Sequence, residues 1–519
     1  MRTVLRVLAA SYAVCLLAAL PAGAQTPATT DCLRTVDGID LQTATIPDLE
    51  AAMNAGTLTS VDLVNAYLGR IDFFDSSHLA LNSIRTLAAD AREQAAQADA
   101  ARAAGDTRRL LGIPVLLKDN VATKDMPTTA DSVTLKGSQP TRDATITSKL
   151  RDAGAIILGK ANLGEFANWT SLGNPNGWSS LAGRVKNAYT STPTTIGDPS
   201  GSSSGSGVAA SMAFAAATIG TETSGSILGP TDANGDAGIK TTMGLVSRYG
   251  ILPLSPSFDV PGPITRNITD AAYILEAIAG ADPNDGVTAN SQPSDYVRAL
   301  HRGTLEGTHL AYSQNDHDSL SGVKLQLFDA AIARLRKLGA TVTAVNALTA
   351  HESGEAELAF IPNEFKAAVN QYISDWLPNA PNKNLDEIDA YAKAHPDLYP
   401  YGTALLDASD ATPGASALYP TATSMQTAAK AQIEGALAEG GAEAIIAPGP
   451  GHYDIGAAAG YPTVETQMGY NRKQPIDLAF MGRPYSEAKL LSYAYDYEQD
   501  AQVRVPPTDL NSSLGTPAC

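Results

Sequence analysis

The sequence predicts an α/β fold with a largely parallel sheet. Short apolar runs, Ile113–Leu117 and Ala155–Leu158, have the unbroken hydrophobicity of strands buried on both faces. Segments with helical apolar spacing alternate with such runs along the chain. The 519 residues, 44% of them hydrophobic, suffice for a large core.

In chain order, the first segment reads as a signal peptide over residues 1–24. Arg2 and Arg6 give a positive start, Val7–Leu20 is apolar, and Ala22-Gly23-Ala24 offers a small-residue cleavage site. An uncut N-terminal anchor is the alternative. The expected product is a secreted or periplasmic protein, residues 25–519, forming one domain. Cys15 leaves with the signal; Cys32 and Cys519 then either pair across the termini or stay free. Helices are predicted over Ile46–Asn54, Ser60–Phe74 (with Ser60 as cap), Ala88–Ala104 and Ala144–Ala153. The alanine-rich block Val208–Ala217 is read as a helix between two Ser/Gly loops. Further helices are expected at Thr269–Ala279, Leu325–Leu338, Ile361–Trp376, Met425–Leu437 and Ser486–Glu498. Thr341–Val345, Ala444–Ala447 and Ile476–Phe480 are expected strands, and 378–420 an irregular insertion or surface lobe.

Composition excludes some functions. A net charge of −18 repels nucleic acid and anionic lipid, so neither is an expected partner. After signal cleavage no membrane association is expected. No Cys/His spacing resembles a zinc site, the closing residues of a phosphate-binding loop are missing, and no cofactor or metal is expected.

Lys118 directly follows the predicted buried strand Ile113–Leu117. Desolvation there would push its amine toward neutrality, which takes about three pKa units or roughly 4 kcal/mol. Two other readings are open: an ammonium reaching water, or one paired with the adjacent Asp119. The loop Gly201-Ser202-Ser203-Ser204-Gly205 formally matches a nucleophile elbow centred on Ser203. However, Thr192–Ser200 contains Pro193, Gly197 and Pro199 and is no strand, and no histidine is singled out as partner. In the second loop, Gly220–Ser226, Gly225 permits a close backbone approach, so the N–H groups of Thr223, Ser224, Gly225 and Ser226 can converge on one oxyanion. One mechanism uses all these pieces without histidine. Ser226 attacks a carbonyl, Ser202 relays its proton to neutral Lys118, and the proton returns to the leaving amine.

The blocks Gly112–Asn120, Gly201–Gly205 and Gly220–Ile227 resemble the amidase signature family. So do Leu158–Asn162, Asp259 through Gly262-Pro263, and Gly460-Tyr461-Pro462 with Ser486-Glu487. The resemblance extends from about residue 45 to 500. It implies the amidase signature fold, a large mostly parallel mixed sheet covered by helices on both faces. It further implies a Ser–cis-Ser–Lys triad of Ser226, Ser202 and Lys118, with a cis bond before Ser202. Asn176–Ser179 and the Glu222–Ile227 block look most like the bacterial peptide amidases, implying a small-molecule or peptide amide substrate. The alternatives are ester and carbamate hydrolysis, an inactive binding protein, or the A-type component of an amidotransferase. Ser224 and Leu228 depart from the common family pattern, as does Glu465–Gly469, where the pocket wall is left open.

Overall fold

The computed structural model describes residues 32–346, 348, 353–413 and 419–517. The predicted signal segment and Cys519 lie outside the described residues; Cys32 is disulfide-bonded.

An 11-stranded mixed sheet is the frame. In chain order its strands are β1 (Ile84–Leu87), β2 (Pro114–Lys118), β3 (Ile156–Ala161), β4 (Ala217–Glu222), β5 (Ala237–Lys240), β6 (Val260–Thr265), β7 (His309–Ser313), β8 (Thr341–Val345), β9 (Ala444–Pro448), β10 (Thr463–Asn471) and β11 (Gln474–Gly482). Across the sheet they run β8-β7-β9-β11-β10-β5-β6-β4-β2-β3-β1. Parallel pairing falls in two blocks, β4-β2-β3 and β8-β7-β9. Antiparallel ladders join the blocks through β11, β10, β5 and β6. Every residue of β2, β3 and β4 is buried. Since alternate side chains point to opposite faces, both faces of this block are covered.

Local chemistry explains most element boundaries. Thr45 and Asp48 form a reciprocal capping box at the helix Ile46–Ala55, with Pro47 in its first turn. The next helix, Ser60–Arg70, is capped by Thr59, whose hydroxyl accepts from the Asp62 N–H; Ser60 is its first residue, not its cap. Helices also run Ala91–Ala103, Thr145–Asp152, Ile268–Ile278, Gly322–Lys337 and Glu487–Ala501, close to their predicted spans.

The segment between the two Ser/Gly loops differs from expectation. Its helix is Ser204–Ser211, earlier and shorter than Val208–Ala217. The chain then turns through Ala213, at φ +52°, and Ala217 opens β4. Thus the stretch leading into the second loop is a central strand. Within 378–420 the chain forms the helices Leu385–Ala394 and Ala404–Asp410. Glu465–Gly469 lies within β10, at the core of the sheet.

Behind the helix Leu228–Asn234, Glu465 is fully buried and neither carboxyl oxygen has a hydrogen-bond partner among the described residues. Burial pushes this carboxyl well above the carboxylate range; Asp232 and Glu222 push the same way, against Lys324. A carboxyl raised on folding costs stability as pH climbs above its unfolded value near 4. Glu465→Gln is therefore expected to stabilise the fold by about 1 kcal/mol or more at pH 8, with the gain vanishing near pH 4. Denaturant unfolding at the two pH values measures this.

Candidate active site

Strands β2 and β4 are parallel neighbours, with Val115 opposite Ala217, Leu116 opposite Thr218 and Leu117 opposite Ile219. Their C-terminal ends therefore share one edge of the sheet, where open α/β sheets place their sites. Lys118 ends β2 and Glu222 ends β4.

Lys118 has no exposed surface. Its Nζ donates to Ser202 Oγ at 2.8 Å and to the Thr221 carbonyl at 3.1 Å. Burial lowers its pKa to about 7, although Asp259 and Glu222 favour the ammonium. Asp119 does not pair with it. That carboxylate instead binds Lys160 Nζ at 3.1 Å and the Thr129 hydroxyl at 2.5 Å. Of the readings open for Lys118, neither exposure nor the Asp119 pair occurs.

The Gly201–Ser202 peptide bond is cis. The surrounding loop is held on three sides. The Gly164 N–H donates to the Ser202 carbonyl at 3.0 Å, and the Ser203 N–H to the Ser226 carbonyl at 3.2 Å. Ser203 Oγ donates to the Thr221 carbonyl at 3.1 Å and accepts from the Thr221 N–H at 3.2 Å. Ser203 is thus a fully buried strut, and the elbow reading fails. The Ser203–Ser226 backbone bond sets Ser226 next to Ser202.

Thr223, Ser224, Gly225 and Ser226 line a cleft of about 490 Å³ together with Ser200 and Gly201. Gly225 takes φ +79°, and a Cβ there would lie 2.7 Å from the Tyr453 ring, so both conformation and space require glycine. Thr223 Oγ1 donates to Asp259 Oδ1 at 2.6 Å. The other Asp259 oxygen accepts the N–H groups of Leu254 and Ser255, which ties the turn to the loop carrying the wall residue Leu254. Trp169, Leu172, Ile361, Leu405 and Tyr453 add apolar wall, and no lining side chain is charged. No residue of Glu465–Gly469 lines this cleft, whereas Leu405, from the 378–420 lobe, does. Among the described residues, no group of three or more His, Cys, Asp or Glu is placed to hold a metal ion.

Lys118, Ser202, Ser226 and the turn Thr223–Ser226 are thereby brought together. Sequence reasoning missed the carboxylates of Glu222 and Asp259, which anchor that turn. Both residues stood in blocks that resemble the family, and that was the available signal. The sequence profile of the family described as Amidase matches residues 62–452. The chain belongs to the amidase family. An Arabidopsis thaliana protein named as a probable amidase is 34% identical over 497 residues, covering 92% of this chain and 93% of that one. The crystal structure of native peptide amidase from Stenotrophomonas maltophilia is similar at 38% identity and a TM-score of 0.85, over 90% of this chain and 98% of that one. The A-type component of the glutamyl-tRNA(Gln) amidotransferase from Thermobifida fusca is 37% identical, over only 58% of each chain.

A lysine depressed on folding costs stability below its folded pKa, and that cost disappears as pH rises to the unfolded value near 10.4. Lys118→Met is therefore expected to be more stabilising at pH 6 than at pH 10, by about 4 kcal/mol. Thermal or denaturant unfolding at both pH values gives the difference; bonds lost at both pH values cancel from it.

Proposed function

We propose that this amidase hydrolyses uncharged carboxamides, foremost the C-terminal amides of peptides, through Ser226, Ser202 and Lys118. The observation that carries the reading is the 2.8 Å bond from a buried Lys118 Nζ to Ser202 Oγ, beside a nucleophile in the cleft floor. Near neutral pH a large fraction of this amine is unprotonated and can act as a base.

Ser226 Oγ attacks the amide carbon while its proton passes to Ser202, whose own proton moves to Lys118. The N–H groups of Thr223–Ser226 hold the oxygen as it becomes negative. Collapse breaks the C–N bond. The proton returns from Lys118 through Ser202 to the leaving nitrogen, which departs as ammonia or an amine. Water then attacks the acyl-Ser226 ester along the same proton route in reverse, releasing a carboxylic acid and restoring Ser226.

The cleft's uncharged lining suits a neutral acyl portion, since a buried charge would lack a counter-ion there. Similarity in sequence and structure to a peptide amidase along nearly the full chain supports a peptide amide over the glutamine of a tRNA-dependent amidotransferase, whose sequences match little more than half of this chain. The charged, then apolar, then small-residue pattern of residues 1–24 supports export, with the mature protein starting at Gln25.

Purified protein is expected to release ammonia from N-acyl dipeptide amides and to leave internal peptide bonds uncut. Ser226→Ala, Lys118→Ala and Ser202→Ala are each expected to lower kcat/KM about a thousandfold or more, while single His→Ala variants keep turnover. Activity surviving in the Ser226 or Lys118 variant overturns the mechanism. With wild-type protein, the acid limb of kcat/KM is expected to rise tenfold per pH unit and to level off near pH 7, where Lys118 deprotonates.

A further inference from the structure

We propose that Glu222 is a positioning residue of this amidase: its buried carboxylate clamps the turn Thr223–Ser226, so that the nucleophile and the oxyanion donors are presented as one rigid unit. The inference rests on the reading of Ser226 as nucleophile.

The geometry is that of a staple. Glu222 is the last residue of β4, and β6 holds it from the side, with Val260 opposite Glu222. Its side chain folds over the turn that follows. One oxygen, Oε2, accepts from the N–H groups of Ile227 at 2.7 Å and Leu228 at 2.9 Å. Those donors lie at the start of the helix Leu228–Asn234, whose cap residue Ile227 contributes no side-chain bond. A single carboxylate therefore closes the chain from the strand end to the helix start, and the four residues Thr223–Ser226 are enclosed between. With Glu222 only 1% exposed, no water competes for these donors.

The other restraints on the turn act at single points. The Ser226 carbonyl is held by the Ser203 N–H, the Gly225 carbonyl by the Gly229 N–H at 2.8 Å, and the Thr223 hydroxyl by Asp259. The Gly229 bond orients the Gly225–Ser226 peptide, but Glu222 alone ties the end of β4 to the start of the helix across the whole turn. An oxyanion donor must point at the oxygen's position in the transition state, so a small rotation of the turn removes its contribution. Such a loss falls on kcat, because the ground-state carbonyl bears little charge.

Four ionisable groups interact with Glu222 or share the site it serves: Lys118 from β2, Lys240 from β5, Glu465 from β10, and Asp259 just before β6. Burial pushes the Glu222 carboxyl up, while the N–H bonds and Lys240 favour its ionised form. As an anion it also favours the Lys118 ammonium, so it has an electrical effect that a purely structural residue would lack.

The test compares Glu222→Ala and Glu222→Gln with the wild-type full chain. The readouts are steady-state kinetics on a peptide amide, pH profiles, and the rate at which a fluorophosphonate labels Ser226. Glu222→Ala is expected to lower kcat a hundredfold or more with KM within threefold, and to slow labelling in parallel. Glu222→Gln keeps an acceptor oxygen and is expected to recover at least tenfold of that kcat. Its acid limb is expected to lie at lower pH than wild type, because an anion near Lys118 is gone. A folded Glu222→Ala that is labelled at the wild-type rate overturns the proposal. Should Glu222→Ala not fold, Glu222→Gln decides: a wild-type acid limb with wild-type kcat overturns it, and a shifted limb supports it. Wild-type protein that turns over substrate without labelling at Ser226 instead overturns the nucleophile assignment, and this proposal with it.

Discussion

The contact between the Lys118 amine and the Ser202 hydroxyl governs this site. An amine at the end of a buried strand loses its hydration, and that loss brings its pKa to about 7. The neutral state costs about 4 kcal/mol relative to a lysine in water at the same pH. The large core secured by the sheet offsets this cost. Two anions oppose the depression without abolishing it: Asp259 and Glu222 also hold the turn that carries Ser226. The same carboxylates therefore hold the turn of the proposed nucleophile, Ser226, and favour the charged form of Lys118.

The sheet determines why these groups meet at all. Lys118 and the turn after Glu222 belong to adjacent parallel strands whose ends are in step. Between them in sequence the chain first adds β3 on the far side of β2, then crosses back as the helix Ser204–Ser211 and enters β4. The start of that crossover helix places Ser202 over the strand ends. Full burial on both faces removes the freedom by which the site could loosen: Leu116, Leu117, Ile157, Ile219, Val208 and Met212 share one core.

Much of this was legible in the residues, unevenly. β2 and β3 showed as apolar runs, and most amphipathic helices showed by their spacing. β4, of sequence Ala-Thr-Ile-Gly-Thr-Glu, did not, because its small and polar residues suggest a loop although the sheet buries every one. β6 contains Pro261, Gly262 and Pro263, residues that argue against a central strand. The helix Ser204–Ser211 is buried all round and rich in Ser and Gly, so no polar face marks its period. The proposed reacting groups were easier. Lys118, Ser202 and Ser226 stood in blocks resembling a family, whereas the supporting roles of Glu222 and Asp259 depend on folding that brings Ile227, Leu228, Leu254 and Ser255 to them. No local pattern announces a carboxylate that reaches N–H groups five and six residues ahead.

Asp119 sits directly after Lys118 and could have been its natural counter-ion. It is instead occupied by Lys160, at 3.1 Å, in a pocket completed by Thr128 and Thr129. Lys160 thus works as an insulator. It keeps a neighbouring negative charge engaged on its own side of the strand, so that Asp119 is not among the anions that favour the Lys118 ammonium. The low basicity of one buried lysine is in this way preserved by the ion pair of another.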